Sequence, residues 1–233
     1  MSHNQILLID NYPRGSQTDR ILRIQEIVNG LRSQIKQKTI HYSQLKYELM
    51  ENIKGIIISG SSLNVSSFYY NDKLKEKFSP QIKLIKQIKE IPILAICFGH
   101  HLVSYSYGAQ ISRMKTPDTG GKVIFLKFSK TDSLIKKKNI PVDIHHRDFI
   151  SPNDSEIQKN FEIKAISTTL GYNIIQYMQH IEKPLFSLQF HPETHKSYSF
   201  SSMHFSEKIL SITRQIGRDI IENFVWFCIN KTG

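Results

Sequence analysis

The sequence predicts an α/β fold in which an open, mostly parallel β-sheet is flanked by helices, with an additional β-rich portion in the second half. Three continuous apolar runs before Gly108 are typical of strands buried on both faces of a parallel sheet. Apolar residues at helical spacing lie between these runs, and this alternation indicates right-handed crossover connections. After Gly108, strand-like segments follow one another with short connections.

The first half is predicted to run strand, helix, strand, helix, strand. The strands are residues 5–10, 53–59 and 91–96, each an apolar run bounded by polar residues. Apolar residues recur at helical spacing from Thr18 to Ile35, which predicts a helix of roughly four or five turns. Ser79-Pro80 offers an N-cap and a proline at the first helical position, so a second helix is expected to begin there.

The second half is predicted to be rich in strands and to end in a helix. The expected strands are residues 122–128, 140–146, 161–167, 173–179 and 185–190. From residue 209 onward, Ile, Phe and Val recur at helical spacing, which predicts an amphipathic helix that covers one face of the sheet. The sequence contains neither an internal repeat nor a low-complexity linker, so we expect residues 1–233 to form a single domain.

The composition narrows the classes of function. The formal net charge is +11, but the basic residues are dispersed rather than interleaved with stacking aromatics, so we do not expect a nucleic-acid partner. No apolar run reaches the roughly 18 residues of a membrane helix, and the N-terminus lacks a secretory pattern. We therefore expect a cytoplasmic protein without membrane association, in which the two cysteines do not form a disulfide framework.

A cysteine at a predicted strand-to-helix turn is the first candidate for chemistry. The third strand runs directly into Cys97, and a helix is expected to follow as far as about Tyr107. Ala95 and Gly99 suit a tight elbow, because larger side chains there would collide with neighbouring backbone. The helix N-terminus favours the nucleophilic thiolate and offers the backbone N–H of Phe98 to an oxyanion. The alternative is that Cys97 is a small buried residue with a packing role.

The last predicted strand supplies a candidate base. It is followed directly by His191-Pro192-Glu193, and if it lies parallel to the strand before Cys97, the carboxyl ends of both strands meet at one edge of the sheet. His191 would then take and return a proton, while Glu193 would orient its imidazole. A His-Pro-Glu sequence is also compatible with an ordinary loop. Its position after a buried strand favours the catalytic interpretation.

These motifs resemble those of the class I glutamine amidotransferases, a superfamily with a Cys-His-Glu triad that also includes γ-glutamyl peptidases and hydrolases. The resemblance covers nearly the whole chain and rests on residues 6–10, 56–60, 93–101, 145–148 and 189–193. It implies a flavodoxin-like sheet and an enzyme that hydrolyses a glutamine or γ-glutamyl amide. No cofactor is expected.

The resemblance also implies a role for each matching residue. Cys97 would attack the substrate carboxamide and form a thioester as ammonia leaves, His191 would act as base and then acid, and Glu193 would orient His191. The remaining residues would hold the oxyanion through backbone N–H groups (Gly60, Ser61 and Phe98) or contact the substrate (His101, His146, Arg147 and Asp148).

Two departures from the family pattern leave the substrate open. His101 stands where the family has a glutamine that helps to bind the substrate, and Gly60-Ser61-Ser62 stands where biosynthetic members have a Gly-Pro pair. One hypothesis is a glutaminase that supplies ammonia to a separate synthetase, since the chain has no ATP-binding motif. The alternatives are a stand-alone γ-glutamyl peptidase and a catalytically silent binding or regulatory domain. Residues 198–205 resemble an insertion near the site, either a lid or a surface loop.

The ten histidines do not predict a metal site. His100-His101 and His145-His146 lack the i, i+4 spacing of a helical zinc motif, and no cysteine accompanies them at ligand spacing.

Overall fold

The computed structural model describes residues 4–13, 18–31, 35–46, 52–115, 122–194 and 206–230. The helices in these ranges are α1 (Thr18–Gly30), α2 (Asp72–Gln87), α3 (Phe98–Ser106), α4 (Ser155–Asn160) and α5 (Glu207–Asn230). The strands are β1 (Asn4–Asp10), β2 (Ile35–His41), β3 (Ile53–Ile58), β4 (Ile93–Ile96), β5 (Ser112–Arg113), β6 (Lys122–Lys127), β7 (Asn139–Ile144), β8 (Asp148–Phe149), β9 (Phe161–Thr169), β10 (Tyr172–His180) and β11 (Leu185–Leu188).

A seven-stranded sheet with the order β2-β1-β3-β4-β11-β10-β9 forms the centre of the molecule. The first five strands in this order are parallel, and β10 and β9 extend the sheet in antiparallel pairing. Two antiparallel pairs, β5 with β8 and β6 with β7, lie outside it. The predicted α/β architecture, with a mostly parallel sheet and a β-rich second half, is confirmed.

Helices cover both faces of the sheet, and alternate residues of each parallel strand enter two separate cores. Ile6 and Leu8 of β1 pack with the apolar residues of α1 and α5. Leu7 and Ile9 of the same strand pack with those of α2 and α3 on the opposite face. Because both faces are buried, these strands are continuous apolar runs, as is usual in parallel sheets. None of the helices in the described ranges is long and apolar enough to cross a membrane.

Strand β2 was not predicted, and the extension of the first helix to Ile35 was wrong. Helix α1 ends at Gly30, and Ile35 is instead the first residue of β2. Among the described strands it is the edge of the sheet and pairs with β1 alone, so most of its residues are half-buried or exposed. A half-exposed edge strand carries polar residues such as Lys36 and Lys38, and it therefore lacks the apolar run that identified the other strands.

The predicted start of the second helix at Ser79-Pro80 was also wrong. Helix α2 begins at Asp72, after Asn71, whose side chain accepts a hydrogen bond from the backbone N–H of Leu74. Pro80 lies inside the helix. Phe78 on one side of the proline and Gln81 on the other are both buried, so tertiary packing offsets the roughly 3 kcal/mol that an interior proline costs.

Candidate active site

Cys97 occupies a sharp turn between β4 and α3. Its backbone has φ 50° and ψ −99°, a conformation that L-residues rarely adopt and that is held by the structure around it. The N–H of Cys97 donates to the carbonyl of Leu188 at 2.7 Å, and its own carbonyl accepts the first helical bond from His101. A side chain at Gly99 would place its Cβ 2.7 Å from the carbonyl oxygen of Ile58. The predicted elbow is therefore present, and it requires a glycine two residues after the cysteine.

The parallel pairing of β4 with β11 brings the predicted base to the same edge of the sheet. Leu188 lies opposite Ile96, so the two segments that follow these strands emerge side by side. His191 Nδ1 and Glu193 Oε1 are 2.7 Å apart. The other ring nitrogen of His191 lies 3.4 Å from the carbonyl oxygen of His145, and Cys97 Sγ lies 3.7 Å from the same oxygen. The sulfur and the imidazole thus converge on one point of the cleft.

The charges around His191 favour its protonated form. Burial and the Arg20 guanidinium lower the pKa of this imidazole, but the Cys97 sulfur and the Glu193 carboxylate outweigh them and raise it to about 10. Burial raises the pKa of Glu193, yet His191 and Arg20 bring it below its ordinary value. At neutral pH, the site therefore contains an imidazolium hydrogen-bonded to a carboxylate, which can protonate a leaving group beside the sulfur.

Arg20 and Asp143 extend this group, and neither was predicted from the sequence. Arg20 on α1 is only 1% exposed, and its Nη1 lies 3.2 Å from Glu193 Oε1. Its Nη2 lies 3.8 Å from Asp143 Oδ2. Asp143 at the end of β7 also accepts the backbone N–H of His191 through its carbonyl, at 2.8 Å. Nothing in a single arginine on an amphipathic helix signals this contact, because its partners are far away in the sequence.

The predicted oxyanion loop is held against the imidazole by the end of β1. The side chain of Ser61 donates to the carbonyl of Asn11 at 2.7 Å, and the N–H of Asn11 donates to the hydroxyl of Ser59 at 2.9 Å. A Cβ on Gly60 would lie 3.1 Å from Cε1 of His191. Ser61 and Phe98, the first residue of α3, line the cleft together with the cysteine. A residue from each of the two predicted sources of oxyanion donors therefore lines the cleft that contains the sulfur.

The predicted substrate-binding residues surround a cleft of about 290 Å³ that also contains the cysteine and His191. His101 shares a 2.7 Å hydrogen bond with Gln189 Oε1. His146 Nδ1 is bonded to the backbone carbonyl of Asp148, at 3.0 Å. Burial, followed by the nearby His101, lowers the pKa of His146 to about 3, so this ring is neutral at physiological pH. Arg147 also lines the cleft, and a guanidinium is the side chain best suited to bind a carboxylate.

The carboxylate of Asp148 is engaged by the protein. It accepts the backbone N–H and the hydroxyl of Ser66, both at 2.8 Å. Asp148 therefore anchors the segment before α2 to the cleft. The structure brings all ten predicted site residues to this one region.

Cys228 on α5 is fully buried in the core, and Gly55 lies directly against its sulfur. The insertion at residues 198–205 lies outside the described residues. In the part of the chain that the structure describes, no group of three His, Cys, Asp or Glu side chains is arranged to hold a metal ion.

Comparison with known proteins identifies the family. The model for the class I glutamine amidotransferase family matches residues 7–209. The chain belongs to the class I glutamine amidotransferases. This amidotransferase is 27% identical over 228 residues to one subunit of the glutamine-hydrolyzing GMP synthase of Methanocaldococcus jannaschii, a match that covers 96% of the chain and 97% of that protein. The corresponding GMP synthase subunit of Methanococcus aeolicus is 32% identical over 164 residues, 68% of the chain and 76% of that protein.

A solved structure has the same fold. A crystal structure of a glutamine amidotransferase from Thermotoga maritima superimposes with a TM-score of 0.68 at 16% identity, over 97% of this amidotransferase and 98% of that chain. The predicted resemblance and the predicted enzyme class are confirmed.

Proposed function

We propose that this amidotransferase is the glutamine-hydrolysing subunit of a two-subunit GMP synthase, with Cys97, His191 and Glu193 as its catalytic triad. The observation that carries the proposal is the meeting of the Cys97 elbow with the His191–Glu193 pair in one cleft. A nucleophile, a base and an orienting carboxylate in this order are the parts that thiol-based amide hydrolysis needs.

The reaction follows from these contacts. The Cys97 sulfur attacks the carboxamide carbon of glutamine, and the resulting oxyanion accepts hydrogen bonds from the N–H of Phe98 and from the Gly60-Ser61 loop. The imidazolium of His191 gives its proton to the departing amine, so that ammonia leaves and a thioester remains. His191 then takes a proton from water, which attacks the thioester and releases glutamate and the thiol. Glu193 keeps the imidazole oriented through both steps.

The separate synthetase partner is inferred from the relatives. Two of them are named as one subunit of a GMP synthase, and one of these matches this amidotransferase over nearly the full length of both chains. The synthetase subunit of a GMP synthase is accordingly the proposed partner.

The test measures glutamate released by the purified chain from glutamine and, separately, from a γ-glutamyl dipeptide, with and without the synthetase subunit of the same organism. We expect glutamine to be the better substrate and the synthetase to raise the rate. Preference for the dipeptide, unaffected by the synthetase, would instead identify a stand-alone γ-glutamyl peptidase.

A diazo-ketone analogue of glutamine separates catalysis from a silent binding domain. Peptide mapping should find the label on Cys97 and not on Cys228, which is fully buried. If neither glutamate release nor labelling of Cys97 occurs, the proposal of a glutaminase is wrong.

A further inference from the structure

A buried ion cluster contacts the Glu193 carboxylate of the proposed triad. The guanidinium of Arg20 lies 3.2 Å from Glu193 Oε1, the same carboxylate oxygen that is 2.7 Å from His191 Nδ1. All three side chains are at most 4% exposed. A carboxylate oxygen that two cationic donors share in a buried site has little freedom to rotate, because either rotation would break a charge-assisted bond.

The second carboxylate of the cluster fixes the arginine. Asp143 Oδ2 lies 3.8 Å from Arg20 Nη2 and accepts the hydroxyl of Thr194 at 3.3 Å. The backbone of Asp143 also accepts the N–H of His191. Asp143 thus contacts the segment that carries His191 and Glu193 through its backbone and through Thr194, and it contacts α1 through Arg20.

We infer that Arg20 is a positioning residue for glutamine hydrolysis: held by Asp143, it fixes the Glu193 carboxylate and thereby the imidazole of His191. This role presupposes that His191 and Glu193 act as proposed above. Arg20 also lines the cleft, so the competing possibility is direct contact with the substrate. The two roles differ in which kinetic parameter they change, since a substrate contact affects KM and an orienting contact affects kcat.

The first experiment compares Arg20→Gln with Arg23→Gln. Both changes remove one positive charge from α1, but Arg23 pairs with Glu26 in an exposed ion pair. Arg20→Gln should lower kcat for glutamine by about 10- to 100-fold, the range expected for one charge-assisted bond, and leave KM within about twofold. Arg23→Gln should match the parent. A parent-like kcat in Arg20→Gln, or a loss confined to KM, would overturn the inference.

A double-mutant cycle with Glu193→Gln separates positioning from general support of the fold. If Arg20 acts through the Glu193 carboxylate, adding Arg20→Gln to Glu193→Gln should reduce kcat less than about threefold further, because the contact is already lost. A merely structural role predicts the full loss in both backgrounds, and that result would refute the inference. If Arg20→Gln does not fold, Arg20→Lys is used in the same cycle. Lysine keeps the positive charge but lacks the two-pronged geometry of the guanidinium. We expect the effects of Arg20→Lys and Glu193→Gln on kcat to be non-additive in the same way.

The reactivity of Cys97 can be measured without glutamine hydrolysis, so it tests this inference separately from the proposed function. The rate at which iodoacetamide alkylates Cys97 at neutral pH depends on the imidazolium beside the sulfur. Peptide mapping distinguishes this residue from Cys228. Arg20→Gln should slow the alkylation at least threefold in the parent and leave it unchanged in the Glu193→Gln background. If the parent chain hydrolyses no glutamine, the proposed function fails, and the alkylation cycle alone decides the role of Arg20.

Discussion

Replacing Gly217 with alanine should damage the site without touching any of its side chains. Gly217 lies on α5, where the helix packs against the backbone of Pro192, between His191 and Glu193. A Cβ at this position would lie 2.8 Å from the carbonyl carbon of Pro192 and 3.0 Å from its Cα. Backbone atoms cannot rotate away as a flexible side chain can, so the segment or the helix must move.

The required movement follows from ordinary contact distances. Carbon atoms rest about 3.5–4.0 Å apart, so the carbonyl carbon of Pro192 must recede by at least about 0.7–1.2 Å, and the carbonyl oxygen lies closer still to the new Cβ. His191 and Glu193 would move with it, while Cys97, in the turn between β4 and α3, would not. A misplacement of about 1 Å between reacting groups costs up to about 100-fold in rate, and we expect kcat to fall 10- to 100-fold. The free energy of unfolding should fall by less than the overpacking cost alone. Overpacking costs about 1–3 kcal/mol, and the higher helix propensity of alanine offsets about 1 kcal/mol of it.

The assay combines steady-state glutamine hydrolysis with thermal unfolding of Gly217→Ala. The matched control is Gly30→Ala, another glycine-to-alanine change in a helix, where the nearest heavy atom to the new Cβ is 3.7 Å away. The control should keep both activity and stability. The reasoning is refuted if Gly217→Ala retains the kcat of the parent while folded, or if Gly30→Ala loses as much.

Further substitutions test the proposed roles directly. Cys97→Ala should abolish glutamine hydrolysis while the thermal transition persists, and Cys228→Ser should remain active; equal loss in two folded variants would contradict the assignment of the nucleophile. His191→Ala should be nearly as damaging as Cys97→Ala, whereas Glu193→Gln should be milder because the carboxylate orients the base and does not transfer the proton; the reverse order of kcat values would count against these roles. His101→Gln should raise kcat/KM for glutamine relative to a γ-glutamyl dipeptide, because a carboxamide offers two donors where a neutral imidazole offers one. An unchanged ratio of the two kcat/KM values would mean that His101 does not select the substrate.

The parts of the fold that sequence patterns predicted are those in which one local property decides the structure. Strands β1, β3, β4 and β11 are buried on both faces, so their apolar runs located them to within a few residues. The edge strand β2 lacks such a run. Helix α2 starts at the Asn71 cap, but its continuation through Pro80 depends on tertiary packing that no local pattern reveals. Local patterns therefore locate the centre of the sheet better than its edge.

In the candidate site, too, the local motifs could be predicted from the sequence and the long-range contacts could not. The elbow and the His-Pro-Glu segment are short motifs, so their residues could be proposed from the sequence. Arg20 could not, because its contact with Glu193 joins positions 173 residues apart. An arginine on an amphipathic helix is usually exposed, and only the closure of the sheet buries this one between two carboxylates.

The separation of β4 and β11 along the chain has a consequence for how the enzyme matures. The hydrogen-bonded pair Ile96–Leu188 closes a loop that contains two antiparallel pairs and two further strands of the main sheet. Such non-local parallel pairing forms slowly, because the entropy of loop closure is lost before its contacts are gained. During synthesis, Cys97 is translated long before His191, the base that it needs. Activity should accordingly return in refolding only with the last, slowest phase, and a nascent chain should carry an unactivated cysteine until its folding is finished.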